Sequence, residues 1–195
     1  MKTIVGLTGG YCSGKNQVAV ILAAYGYYCI DVDALGHRAL ELSKKELAGT
    51  FGSCIFDEYG SIDRKALGAL VFSSKSLLEK HESIVHPVML SLLDAELERS
   101  ERVCINAALL YKFPQVLKCN YIIEVTAPLE LRLERAKTRD GADRETALAR
   151  IAHQEYLWKL RPRVHPPVFF ISNAGCIDDL ESSLARIPGL LPQDI

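Results

Sequence analysis

Apolar residues along the chain come in short runs that alternate with stretches of helical spacing. Thr3-Ile-Val-Gly-Leu-Thr8 is a β-branched apolar run halted by Gly9-Gly10, which predicts a buried strand. From Lys15 to Gly26 the apolar positions Val18, Ile21, Leu22 and Tyr25 recur at helical intervals, with Gly26 placed to stop the helix. Tyr27-Tyr28-Cys29-Ile30 predicts a second strand ending at Asp31-Val32-Asp33. Strand, glycine-rich loop, helix and strand in that order make a βαβ unit, whose strands are normally parallel.

Residues 34–100 read as mainly helical, with a break between Gly49 and Gly60 marked by the turn signals Gly52, Asp57 and Gly60. Pro87 is expected to kink or divide the periodic run from Ser76 to Leu97, because it lacks an N–H and its ring crowds the preceding turn. Further strands are predicted at 103–107, 121–126 and 168–172, and further helices at 129–137, 144–160 and 179–187. Phe169-Phe170 reads as buried strand. Strands alternating with helices imply an α/β fold, a three-layer sandwich around a parallel sheet.

Composition narrows this picture. A chain of 195 residues, 49% apolar and 24% charged, fits one domain with room for a lid, and can bury a core. The net charge of -1 gives no reason to expect nucleic acid or an anionic membrane as partner. No run approaches the ~20 apolar residues of a membrane span. The opening apolar run is broken by Gly9, Gly10 and Lys15 before a secretory leader could form. The six cysteines (Cys12, Cys29, Cys54, Cys104, Cys119 and Cys176) are scattered without metal-site spacing, so free thiols in a cytoplasmic protein are expected. His81 and His86 stand five apart, about 140° around a helix, which fails the zinc-protease pattern.

The chemistry centres on Gly9-Gly10-Tyr11-Cys12-Ser13-Gly14-Lys15-Asn16, with Gln17 following. It matches the phosphate-binding loop G-x-x-x-x-G-K in all but the last position, with a strand before it and a helix after it. Backbone N–H groups and the helix N-terminus favour an anion there, and Lys15 can reach β- and γ-phosphate oxygens. Asn16 stands where a hydroxyl usually meets Mg²⁺. Its carboxamide can coordinate the ion, hold a metal-bound water, or mark a weakened activity. Asp31 and Asp33, two apart at a strand's end, can serve metal water or a hydroxyl proton; Asp33 can equally cap a helix. Arg132, Arg135, Arg139, Arg144 and Arg150 surround Asp140–Asp143, either as a lid that clamps phosphates or as a solvated helix face.

Several segments together resemble the dephospho-CoA kinases. They are Val5-Gly-Leu-Thr-Gly-Gly10, Ser13-Gly-Lys15, Ile30-Asp-Val-Asp33, Phe51-Gly52, Gly60-Ser-Ile-Asp-Arg64, Leu67 to Phe72 and Ile84-Val-His-Pro87. Leu109-Leu110-Tyr111, Arg135, Arg139, Arg150, Gln154, Asn173 and Gly175 continue the likeness. The resemblance implies a core with a five-stranded parallel sheet (about 1–33, 101–138 and 160–195), a helical acceptor-binding region (about 34–100) and a lid (about 139–159). It implies ATP and Mg²⁺, and phosphorylation of the ribose 3′-hydroxyl of dephospho-CoA by a monomer or weak homo-oligomer. It makes Asp33 the base, with Lys15 and Arg139 as its catalytic partners. The loop residues Gly9 to Gln17, with Arg150 and Gln154, would hold the nucleotide; Asp31, Asp33, Arg64, His86 and Leu110 would bind the acceptor; Asn16 would serve the metal. The sequence departs from the family at Asn16-Gln17, which replaces a hydroxyl pair, at Cys12 for glycine, at Ala108 and Lys112 for Pro and Glu, and at Pro167-Val168 for Ala-Asp. Another small-molecule P-loop kinase, acting on a nucleoside, nucleotide or sugar, and a nucleotide-binding regulator of low activity are the alternative readings.

Overall fold

The computed structural model describes residues 2–191. The chain divides into two compact units, one of residues 32–98 and one of the segments on either side of them.

The larger unit is built on a parallel sheet. Its elements are β1 (Thr3–Gly9), α1 (Lys15–Ala24), β2 (Tyr28–Asp31), β3 (Arg102–Asn106), β4 (Tyr121–Thr126) and β5 (Val168–Ser172). The strands lie in the order β2-β3-β1-β4-β5, all parallel. The expected five-stranded α/β core is thus present. β1 lies between β3 and β4 and is buried from Ile4 to Gly9, hence its unbroken apolar run. Val5, Leu7 and Cys104 face a core completed by Val18, Leu22, Leu180 and Leu184 from α1 and from the last helix of the chain (Ile177–Ala185). On the opposite face Gly6 lies against Leu110 and Cys119, so tightly that an added Cβ would stand 2.7 Å from Leu110 Cδ2. β5 is an edge strand, so Phe170 is 57% exposed rather than buried as the sequence predicts, with the Arg161 guanidinium stacked over its ring.

Arg161 also ties this edge to the core. Its Nε and Nη2 donate to the two carboxylate oxygens of buried Glu124 on β4, at 2.8 and 2.7 Å. Tyr111 Oη donates to the same carboxylate at 2.8 Å. Burial and then the Glu124 carboxylate push the Tyr111 phenol well above its ordinary range.

The smaller unit is helical: α2 (Val32–Leu42), α3 (Lys44–Phe51), α4 (Arg64–Val71) and α5 (Lys75–Leu97). Asp63 caps α4, accepting from the backbone N–H groups of Lys65 and Ala66 at 2.9 and 3.0 Å. Asp57 shapes the preceding turn in the same way, accepting from Tyr59 and Ser61. Pro87 does not divide α5, which runs unbroken for 23 residues. The proline removes one helical donor, and the burial of Ile84, Val85, Met89, Leu93 and Leu97 along the helix offsets that loss. Each fully buried aliphatic side chain contributes roughly 1.5–3 kcal/mol.

Two further helices of the larger unit lie between β4 and β5: α6 (Leu129–Asp140) and α7 (Arg144–His153). The helix predicted over 144–160 ends at His153 and continues as a 3₁₀ segment from Glu155 to Leu160. Among the described residues no helix is long and apolar enough to cross a membrane, and all six cysteines are free.

Candidate active site

The turn between β1 and α1 is held open by hydrogen bonds from distant parts of the larger unit. Gly14 is the N-cap of α1 and offers no side chain to occupy the helix's free N–H groups. Its φ is 88°, and an added Cβ would stand 1.8 Å from Asn173 Nδ2, so only glycine fits. Asn173, just past β5, is 2% exposed and donates from Nδ2 to the Ser13 carbonyl (3.0 Å) and to Gln17 Oε1 (2.7 Å). Arg135 on α6 donates to the Cys12 and Ser13 carbonyls (3.5 and 3.3 Å) and to the Asn173 carbonyl (3.1 Å). Arg132 Nε donates to the Tyr11 carbonyl at 2.7 Å. With the loop's carbonyls turned toward these arginines, the concavity is left to donors, as an anion site needs. Ser13 Oγ is buried without a partner, a hydroxyl suited to a phosphate oxygen.

Cys12 adopts φ 58°, the left-handed region, as the only non-glycine to do so among the described residues. At such a φ a side chain costs roughly 1–2 kcal/mol. Cys12 recovers part of that by burial among Leu133, Ala136, Ala142 and Ala147.

The segment from Arg139 to Gln154 meets the loop at Tyr11. The Tyr11 N–H donates to Gln154 Oε1 at 2.6 Å, the Tyr11 hydroxyl bonds Asp140 Oδ2, and Arg150 Nη1 donates to that hydroxyl at 2.7 Å. Arg139 and Arg150 both lie over the Tyr11 ring, 5.3 Å from its centroid. Arg139 holds the Asp140 carboxyl well below the usual carboxylate range, with the Tyr11 hydroxyl adding to the effect. Beside this segment a cleft of about 410 Å³ is lined by Cys12, Gly14, Gln17, Leu131, Arg135 and Arg139, a size suited to a small-molecule ligand.

The sequence reading left one residue out. Asn106 ends β3 directly beside Leu7 of β1 and Asp31 of β2. Its Oδ1 accepts from Lys15 Nζ, and its Nδ2 donates to Asn16 Oδ1 at 3.2 Å. The available signal was a carboxamide closing an otherwise apolar strand, Val103-Cys-Ile-Asn106.

Asp31 is the last residue of β2, and α2 begins at the next residue. Asp33 therefore lies in the first turn of a helix, and the expected period-2 pairing of Asp31 with Asp33 does not apply across this junction. Leu110 is wholly buried and packs against Gly6 of β1. Within the helical unit, Arg64 begins α4 with Nη1 3.0 Å from His37 Nε2. His86 on α5 lies 4.0 Å from Glu82 one turn earlier.

A parallel sheet ordered β2-β3-β1-β4-β5, with a lysine-bearing phosphate loop where β1 enters α1, defines a P-loop kinase. The dephospho-CoA kinase family model matches residues 3–177. A Thermus thermophilus dephospho-CoA kinase is 37% identical over 94% of this chain and 89% of its own. One from Bacillus licheniformis is 32% identical over 96% of both chains. A crystal structure from Thermus thermophilus superposes with a TM-score of 0.81 at 36% identity, covering 96% of this chain and 99% of that one. The chain belongs to the dephospho-CoA kinase family.

Proposed function

We propose that this protein transfers the ATP γ-phosphate to the ribose 3′-hydroxyl of dephospho-CoA in the cytoplasm, yielding CoA and ADP. The observation that carries the reading is the phosphate loop itself: backbone N–H groups, an uncapped helix N-terminus and an orphaned Ser13 hydroxyl gathered at Lys15, in a chain of this family. In the proposed step the 3′-oxygen attacks the γ-phosphorus and the bond to ADP breaks. The hydroxyl proton passes to Asp33, whose part is as much orientation as deprotonation, given the loose transition state of phosphoryl transfer. Lys15 and Arg139 would stabilise charge on the transferring group. Arg150 and Gln154 would close over the nucleotide. Asp31, Arg64 and His86 would hold the acceptor.

Mg²⁺ is the usual companion of ATP in such sites and supplies charge neutralisation on the β- and γ-oxygens. A hard cation needs an oxygen donor, and the Asn16 oxygen already accepts from Asn106. That oxygen has a second lone pair, so Asn16 would hold the ion directly or through a bound water.

A coupled ADP-release assay tests the function. Dephospho-CoA is expected to drive turnover far above a panel of nucleosides, nucleotides and sugars. Saturable turnover with one of those instead, or none with any acceptor, overturns the proposal.

A further inference from the structure

Tyr11 lies in the phosphate loop, and each of its polar groups is taken by α6, α7 or the residue that ends α7. Its N–H donates to Gln154 Oε1 at 2.6 Å, and its carbonyl accepts from Arg132 Nε at 2.7 Å. Its hydroxyl donates to Asp140 Oδ2 and accepts from Arg150 Nη1, the latter at 2.7 Å. Its ring carries the guanidinium groups of both Arg139 and Arg150, each 5.3 Å from the centroid. Two cations on one ring repel each other, and two negative features hold them there. One is the electronegative ring face. The other is the Asp140 carboxylate, which accepts from Arg139 Nε and Nη2 at 2.8 and 2.9 Å and from Arg150 Nη1 at 3.3 Å. A single exposed ion pair is worth little, but here two arginines share one ring and one carboxylate. Arg139 also lines the cleft with Gly14 and Gln17, at the uncapped N-terminus of α1.

We infer that Tyr11 is a positioning residue: its ring and hydroxyl, with Asp140, hold Arg139 and Arg150 together at the phosphate loop as a paired clamp for the nucleotide's phosphates. This rests on the kinase reading above, in which Arg139 meets the transferring phosphate and Arg150 the nucleotide, and adds what sets them there. A polyphosphate spreads several charges over neighbouring oxygens, which two adjacent guanidinium groups match better than one. The Tyr11 side chain acts through the arginines and not on the phosphates.

The test compares Tyr11→Phe, which keeps the ring and loses the hydroxyl, with Tyr11→Leu, which loses both. Limited trypsin digestion of the whole protein reads the clamp without any substrate. Trypsin must take the arginine side chain into its own pocket, so a guanidinium held over Tyr11 is protected. Cleavage after Arg150 should quicken about threefold in Tyr11→Phe and about tenfold or more in Tyr11→Leu. Cleavage after Arg144, which pairs with Glu130, is the control and should stay at the wild-type rate. ATP titrated calorimetrically should bind Tyr11→Leu about tenfold more weakly, with Tyr11→Phe in between. In steady-state kinetics kcat should fall in the same order, while the KM for dephospho-CoA stays within about twofold. A folded Tyr11→Leu protein with wild-type cleavage after Arg150 and wild-type ATP affinity overturns the inference. So does equal acceleration after Arg144 and Arg150, the mark of a general loosening. If the melting curve shows Tyr11→Leu unfolded, the same readings on Tyr11→Phe decide. Absence of turnover with dephospho-CoA overturns the kinase reading alone, since trypsin and ATP binding still report on the clamp.

Discussion

The phosphate loop and the helical unit hold their polar groups in opposite ways. Around the loop, the Tyr11, Cys12 and Ser13 carbonyls are each taken by an arginine, and buried Asn173 bridges Ser13 to Gln17. These bonds come from α6 and from the end of β5, more than 100 residues away in sequence. In the helical unit, Arg64 and His37 meet at the surface, and His86 has its acid one helical turn away. Part-buried, charge-assisted bonds together with a buried carboxamide fix geometry, whereas exposed pairs are worth little and rearrange readily. The contrast teaches that the phosphate loop is held in place by the rest of its unit, while the proposed acceptor residues Arg64 and His86 make exposed or half-buried pairs with near neighbours.

The largest effect is expected at Asp33. Asp33→Asn keeps the first turn of α2 and removes the charge. Turnover should fall about 10²–10⁴-fold, or ~2.7–5.5 kcal/mol, while ATP affinity stays near the wild-type value. Retention of more than about a third of the turnover in single-turnover assays would reduce Asp33 to an acid that stabilises a helix N-terminus.

Next comes the brace of the loop. Asn173→Ala leaves the Ser13 carbonyl and Gln17 Oε1 without their donor. Loss of a buried partner costs about 1–3 kcal/mol, so the KM for ATP should rise roughly tenfold or more with the acceptor KM unchanged. Equal shifts in both constants would show that the two ends are not organised separately. Arg64→Ala should do the reverse on a smaller scale, raising the acceptor KM by about threefold to tenfold and leaving ATP alone. Steady-state kinetics with each substrate varied in turn gives both readings. An Arg64 variant that moves only the ATP constant would break the comparison.

Where local chemistry decides, the sequence was readable in detail. β4 and β5 lie at the predicted residues, and β1 extends one residue beyond its prediction. Gly26 stands past the end of α1 at φ 82°, as its stop position required. The phosphate loop is legible because a short motif carries its own backbone geometry. The misreadings share a cause. The burial of Phe170 depended on which strand forms the sheet's edge, and whether Pro87 divides its helix on what packs along α5. The pairing of Asp31 with Asp33 depended on how abruptly β2 becomes α2.

The sequence by itself determined the element types, the parallel βαβ opening, the family and the phosphate-loop motif that ends in Lys15. These follow from periodicity and from motifs whose parts are close in the chain. Only the tertiary structure decided which way the Asn16 carboxamide is turned, because its oxygen accepts from Asn106, 90 residues away, which in turn accepts from Lys15. It also decided that Cys12 would bear a left-handed backbone, which requires Arg135 on its carbonyl and α6 against its side chain. A donor and an acceptor look alike in a sequence of carboxamides; which end of Asn106 meets Lys15, and so which end of Asn16 meets Asn106, is settled by the neighbour that has no choice, an ammonium that can only donate.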